Sequence, residues 1–496
     1  MPRYAYDRLT ALDNSFLLFE KPNAMMHVSS TGIYDAAPLR TPDGGVDIDL
    51  LKRGIESILH RIPRYRQKLQ QIPVFDHPVW VDDDRFNLHY HVRHTSLPRP
   101  GDDEQLKRLS ARIMAQRLDR TRPLWEMWII EGLEDDRFAV ISKVHHCMID
   151  GVSGVDLMTV LMSTSPDAEI PESPPYVPRP TPSGTELLRE ELRRRVRLPL
   201  DAVRDIRSFA REARDVRTEL LVRARGAAET LGATLRPASP TPLNQSVGPH
   251  RRFDWLTLEL AEIKEIRKSL GGSLNDVVLT VVTGAVRRFL EHRRVDTSEL
   301  DFRILAPVSV RSESERGKLG NRVSVWIVPL PVGEADPKLQ LAAISAKTEE
   351  LKSQRQAVGA EVLTQAAEWT PATLLSLGAR NATRLLPFNL VVTNVPGPQV
   401  PLYLLGGQMR EIYPQVPLAD NLGLGIALFS YAGKLCWGFN ADYDQVPDLD
   451  RFVSDVQESF QKLRSAAGLP AAGTRPKRSK SAARRAARAN GGQAPA

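Results

Sequence analysis

The stretch VHHCMIDGVSG, residues 144–154, sets two adjacent histidines three residues ahead of an aspartate and a glycine. His145, His146 and Asp150 suit three readings: ligands for a metal, a base with carboxylate support, or a loop without chemistry. A helix carrying ligands at i and i+4 would offer His146 and Asp150 to zinc. The residues before His145 alternate like a strand, however, Gly151 would weaken a helix, and spacing supplies no third ligand, so no metal is expected. In a strand, His145 and His146 point to opposite faces. One can face a cavity while packing or hydrogen bonds hold the other. Gly151 suits a tight turn that folds Asp150 back beneath the histidines. There the carboxylate orients an imidazole or pairs with an arginine. Arg311, which ends "PVSVR", is a candidate, with Arg93 and Arg122 as rivals. Histidine is the usual base near neutral pH. Cys147 would be the nucleophile of a two-step route, but a strand turns it away from the face of His146.

The elements that must carry these residues follow from apolar spacing. Ile48, Leu51, Ile55 and Ile58 recur at helical spacing before Pro63, as do Leu106, Leu109, Ile113 and Leu118. "LWEMWIIEGL" and "DRFAVISKVHH" form a hairpin joined by "EDDR" that runs into the histidines. Residues 163–183 are Pro-rich and read as a linker. An Arg-rich helical stretch follows, broken near Pro199, with Leu188, Leu192, Val203, Ile206, Phe209, Val216 and Leu220 as its apolar stripe. Its default role is a helix packed on the body; a membrane-surface helix is the alternative. Beyond residue 246, "SLNDVVLTVVTGAVRRFLEHRR" is a buried helix capped by Ser273, set among strand-like runs. Pro396 and Pro398 in "VVTNVPGP" argue against a central strand there. The expected class is α/β with mixed sheets. The expected parts are residues 1–165, a connection over 166–245, a second unit over 246–468 and a tail over 469–496.

Composition bounds the function. With 496 residues, 42% hydrophobic and 26% charged, the chain fills more than one core. Two cysteines exclude a disulfide framework and suit a reducing compartment. No signal peptide and no spanning segment are expected, because no apolar run approaches ~20 residues. Seven of the 67 basic residues lie after Thr474 with no acid among them, which leaves 60 against 60 in the body. Such a tail attracts phosphates of any kind or serves solubility alone. Specific nucleic-acid binding is not expected, since the body lacks a zinc finger, an RNA-binding signature and a basic recognition helix.

The motif has company: "LDRTRPLWEMWIIEGL" before it, then "SLNDVVLTVV", "APVSVRSESERGKLGNRVSV" and "VVTNVPGP", with "LTALDNSFLLFEKPNAMMHV" at the start. In order and separation, over roughly residues 5–465, this set resembles the bacterial wax ester synthase/diacylglycerol acyltransferase family. That family belongs to the CoA-dependent acyltransferase superfamily, which shares HHxxxDG with chloramphenicol acetyltransferases and peptide-synthetase condensation domains. The resemblance implies two chloramphenicol-acetyltransferase-like domains with the active site in a tunnel between them. It makes His146 the general base, His145 its motif partner, and Asp150 a structural acid beside Gly151. Pro123, Leu124 and Trp125 become the PLW element, more a packing element under the hairpin than a substrate contact. Asn275 and Asp276 become the ND element, with Asn275 placed to stabilise an oxyanion or orient substrate. Gln245 departs from the family, which often carries glycine after Pro-Leu-Asn.

The implied reaction moves an acyl group from acyl-CoA, as co-substrate, to diacylglycerol or a long-chain alcohol, with no covalent acyl-enzyme and no cofactor. Two alternatives stand beside it: a condensation-type enzyme fed by a carrier-protein thioester, and a non-catalytic lipid-binding protein with this fold. A cytoplasmic location, peripheral to the inner membrane or to lipid droplets, is expected. The basic tail then has a checkable role, because electrostatic attraction fades as the Debye length falls from about 10 Å at 0.1 M salt to about 3 Å at 1 M. Truncation after Thr474 is expected to weaken binding to anionic vesicles at low salt while turnover of detergent-dispersed substrates is unchanged. Equal sedimentation of truncated and full-length protein with the vesicles would reduce the tail to a solubilising appendage.

Overall fold

A computed structural model describes residues 6–148, 160–167, 169–196, 236–309, 323–354 and 386–470. Its frame is a pair of six-stranded mixed sheets, with a smaller three-stranded sheet beside the first. In the first sheet the order is Tyr403–Leu404, Gly407–Gln415, His27–Asp35, Arg137–His145, Trp125–Leu133, Val92–Ser96. The expected hairpin is present: Trp125–Leu133 and Arg137–His145 pair antiparallel. Asp135 and Asp136 turn the chain between them with φ of 59° and 55°, a left-handed geometry that aspartate tolerates better than most residues. Helix Ile48–Ile58 starts on Asp47, whose carboxylate accepts from Leu50 N–H at 2.8 Å, and it buries Leu51, Ile55 and Ile58. Helix Asp103–Met114 buries Leu106 and Ile113.

The second sheet runs Val323–Leu330, Phe302–Ser309, Leu390–Pro396, Leu424–Tyr431, Lys434–Asp442, Arg251–Glu259. Leu390–Pro396 is parallel to both of its neighbours. It is an interior strand despite its proline. Pairing with Phe302–Ser309 reaches only Leu390 and Val391, so Pro396 ends the strand where, among the described residues, nothing on that side asks for an N–H. Helices Leu274–His292 and Leu449–Ala466 bury their apolar faces in this unit, which holds the largest core cluster. Asn244 locks the entry to the unit by donating to the carbonyls of Asn389 and Asn421 at 3.2 and 3.1 Å. Gln245, next to it, is exposed.

The two sheets are not independent. Strand Gly407–Gln415 lies within 246–468 in sequence but hydrogen-bonds to His27–Asp35 in the first sheet. Where it passes the second sheet the backbones nearly touch: a Cβ on Gly438 would stand 1.8 Å from the Pro414 carbonyl oxygen. Only glycine fits that crossing.

Residues 184–196 form a helix against the small sheet, made of Asp7–Arg8, Pro78–Asp82 and Gln67–Gln71. Its inward residues differ from the expected stripe. Leu187 packs with Ile72, Val79 and Val81, while Leu192 is exposed. Glu191 faces the body instead, buried and bonded to Arg8. Leu188 is half-buried, and Val203, Ile206, Phe209, Val216 and Leu220, like the basic tail after Thr474, lie outside the described residues. No single helix among the described residues is long and apolar enough to cross a membrane.

Helix Leu274–His292 begins with a capping box: Asp276 N–H donates to Ser273 Oγ at 3.2 Å, and Ser273 N–H donates to Asp276 Oδ2 at 2.7 Å. The buried Asp276 carboxylate also accepts from Thr348 Oγ1 at 2.9 Å and Ser345 Oγ at 3.3 Å, both on helix Pro337–Gln354. Losing a cap alone costs about 1 kcal/mol. Losing Asp276 also strands two hydroxyl donors, so Asp276→Ala is expected to cost about 2–4 kcal/mol. Urea unfolding checks this: equal midpoint losses for Ser273→Ala and Asp276→Ala would mean that the bonds to the second helix contribute nothing.

Candidate active site

The strand Arg137–His145 sits between two neighbours, and its end is held from both. His145 N–H donates to the Leu124 carbonyl at 2.9 Å, and His146 N–H donates to the Met26 carbonyl at 2.8 Å. The expected strand through His146 stops one residue early. Residues His146–Met148 instead form a single 3-10 turn, so the two imidazoles part by a turn rather than by strand alternation.

His145 points inward. Its ring faces the Glu20 carboxylate, Nε2 to Oε2 at 3.3 Å, with both side chains about 1% exposed. Its Nδ1 accepts the Cys147 N–H at 3.2 Å. Glu20 ends helix Ala11–Phe19, which Thr10 caps at its start. The same carboxylate contacts Arg120 and, at 3.4 Å, Arg117. Burial alone would raise its pKa, but hydrogen bonds from His145 and Arg120 and the charge of Arg120 hold it down at about 2. His27 packs edge-on against His145, ring centroids 5.7 Å apart. Burial and the nearby Lys143 charge keep it neutral. Lys143, two residues before His145, is itself buried and donates to the Ile113 and Gln116 carbonyls at 3.0 Å, closing the end of helix Asp103–Met114. Burial, partly offset by Glu126, lowers its pKa to about 8.

His146 points elsewhere. Its ring stacks on Phe16 with centroids 3.8 Å apart and planes 21° from parallel. The residue is partly exposed, while its Nδ1 is buried without a hydrogen-bond partner among the described residues. Burial lowers its pKa to about 4; the residue's own backbone opposes that shift, and the nearby His145 adds to it. The ring is therefore neutral and holds a lone pair at neutral pH. Cys147 is a poor nucleophile by contrast: it is buried, and burial pushes its thiol well above the usual range.

The other sequence candidates divide. Leu124 supplies the carbonyl under His145. Trp125 stacks on His91 at 4.6 Å and donates Nε1–H to the Tyr65 carbonyl at 2.8 Å. Pro123 accepts the Trp125 N–H at 2.9 Å, so this element packs the hairpin beneath the histidines. Asp276 is fully engaged in the capping box and its two hydroxyl bonds, while Asn275 stays partly exposed on the first turn. Arg93 is paired with Glu126 at 3.1 Å and Arg122 with Asp119 at 3.2 Å. Asp150, Gly151 and Arg311 lie outside the described residues. Among the described residues no cluster of His, Cys, Asp and Glu side chains is placed to hold a metal ion. Phe16, Glu20, His27 and Arg120 carry no spacing signal that ties them to His145 or His146. The pairing of Glu20 with His145 spans 125 residues.

Several known proteins resemble this chain in sequence and fold. The wax ester synthase/diacylglycerol acyltransferase catalytic domain matches residues 9–278, and the C-terminal domain of the same family matches residues 319–464. A Mycobacterium tuberculosis protein described as a probable diacylglycerol O-acyltransferase is 32% identical over 473 residues, 92% of this chain and 96% of its own. Another protein of that organism, also described as a diacylglycerol O-acyltransferase, is 33% identical over 474 residues, 92% of this chain and 90% of its own. The solved wax ester synthase/diacylglycerol acyltransferase of Marinobacter aquaeolei is 25% identical with a TM-score of 0.67, covering 93% of this chain and 100% of that one. A starter condensation domain of rhizomide synthetase, 13% identical with a TM-score of 0.56 over 93% of this chain and 94% of that one, shares the fold.

Phe16 covers one face of the His146 ring, and burial is the largest cause of that ring's lowered pKa. Histidine-selective NMR titration should find the His146 midpoint near 4, with the neutral ring above it. Phe16→Ala readmits water, favours the charged form, and should raise the midpoint toward the ordinary ~6.5. An unmoved midpoint would assign the shift to the rest of the burial.

Proposed function

The chain belongs to the wax ester synthase/diacylglycerol acyltransferase family and is an acyltransferase, and on that premise we propose that it acylates diacylglycerol from acyl-CoA with His146 as general base. The observation that carries this reading is His146 itself: neutral, partly exposed, and set by a buried histidine beside it. Neutral imidazole takes the proton of the acceptor hydroxyl as its oxygen attacks the thioester carbonyl. The tetrahedral intermediate collapses with loss of the C–S bond, and the same proton passes to the departing CoA thiolate. Ester and free CoA leave; nothing is oxidised or reduced, and neither an acyl-enzyme nor a cofactor enters. Asn275 is the proposed donor to the oxyanion, a contribution typically worth ~3 kcal/mol. Asp150, with Gly151 after it, is the proposed structural acid of the motif, and Arg311 is its candidate partner.

Diacylglycerol is favoured as acceptor because the two mycobacterial relatives carry that name, while the Marinobacter protein is named for wax esters as well. Substrates of this kind reside in lipid, so peripheral association with a membrane or droplet surface belongs to the same proposal. Labelled oleoyl-CoA supplied with either diacylglycerol or hexadecanol, followed by chromatography, tests the reaction and its acceptor. Triacylglycerol with equimolar free CoA is expected. His146→Ala should lower kcat/KM by about 10²–10⁴-fold while thermal unfolding stays unchanged. His145→Ala should lower it less or act through stability. Undiminished ester formation by His146→Ala would remove the base assignment, and a predominance of hexadecyl ester would move the acceptor to fatty alcohols.

A further inference from the structure

The mechanism above uses one imidazole, yet its neighbour is tied to a buried carboxylate that the reaction does not touch. Three contacts define the arrangement. His145 Nδ1 accepts the Cys147 N–H, so that nitrogen carries no proton. The ring proton of the neutral imidazole then sits on Nε2, 3.3 Å from Glu20 Oε2 and directed at it. Glu20 is anchored in turn by Arg120 and Arg117, which reach it from the stretch after helix Asp103–Met114. We propose that Glu20 is a positioning residue of the acyl transfer: it selects the Nε2–H tautomer of His145, and the bare Nδ1 clamps the turn that carries His146. The proposal rests on the assignment of His146 as base.

The alternative tautomer shows why the carboxylate matters. With the proton on Nδ1, His145 would point an N–H at the Cys147 N–H, and the turn His146–Met148 would lose its internal tie. Glu20 is ionised at neutral pH, because its bonds to His145 and Arg120 outweigh its burial. It therefore accepts and never donates, and the tautomer is fixed. Phe16 and Glu20 belong to one short stretch, the helix Ala11–Phe19 and its terminal residue. That stretch thus holds the face of one imidazole and the tautomer of the other.

The test has two arms on the full-length protein. Selective 15N-histidine labelling, with His145 assigned by its loss in His145→Gln, should show a bare Nδ1 and a protonated Nε2 in the wild type. Glu20→Ala should lose that single tautomer and lower kcat by about 10- to 100-fold, the scale of a misplaced catalytic group, with KM for acyl-CoA within about twofold. Glu20→Gln offers a carbonyl oxygen in the same place and should retain most of kcat. A protonated Nδ1 in the wild type would overturn the proposal, as would an unchanged kcat in Glu20→Ala, a loss confined to KM, or a Glu20→Gln variant as impaired as the alanine. If Glu20→Ala fails to fold, the wild-type tautomer and the glutamine variant decide. A wild type that forms no ester would remove the proposed function and leave the tautomer result standing.

Discussion

The site depends on two backbone hydrogen bonds at the end of one strand. Successive N–H groups of a strand point to opposite neighbours. His145 and His146 use that alternation to reach Leu124 on one side and Met26 on the other. Each bond contributes only about 1 kcal/mol net. Together they fix where the strand stops and in which direction the next residue leaves. An interior position in the sheet is what makes both available; an edge strand would hold one histidine and release the other.

Charges buried under this strand follow from the same geometry. Glu20, Lys143 and Glu126 lie near its end, each matched by an opposite charge or by carbonyls. An unpaired charge there would be costly, and removing either partner of such a pair costs more than the pair itself contributes. The layer therefore specifies one arrangement more than it adds stability. His146, by contrast, rests on an aromatic ring, and its Nδ1 has no hydrogen-bond partner among the described residues.

What was legible in the sequence is what is local. Helix Ile48–Ile58, the hairpin closed by Asp135 and Asp136, and the Ser273 cap all follow from spacing and turn chemistry within a few residues. The separation of the two histidines was foreseen, but its cause was not: a one-residue shortening of the strand leaves no mark in an alternating pattern. Glu20 and Phe16 escaped because their partners lie more than a hundred residues away and helical spacing treats them as ordinary face residues. Asp276 was read as part of a motif, and the structure makes it the joint between two helices. Glu191 took an inward place expected for a leucine because Arg8 waits there.

The strand lent by the second unit to the first has a consequence for how the chain is made. Until residue 415 has left the ribosome, strand His27–Asp35 keeps one side of its backbone unpaired. An open edge of this length is a template for pairing with other chains. The order of synthesis thus opposes early completion of the N-terminal sheet, and its closure waits on a contact nearly 400 residues distant in sequence, between Tyr34 and Met409 among others. Maturation of the histidine-bearing sheet is in this sense a late event, set by the arrival of a strand that carries none of the chemistry.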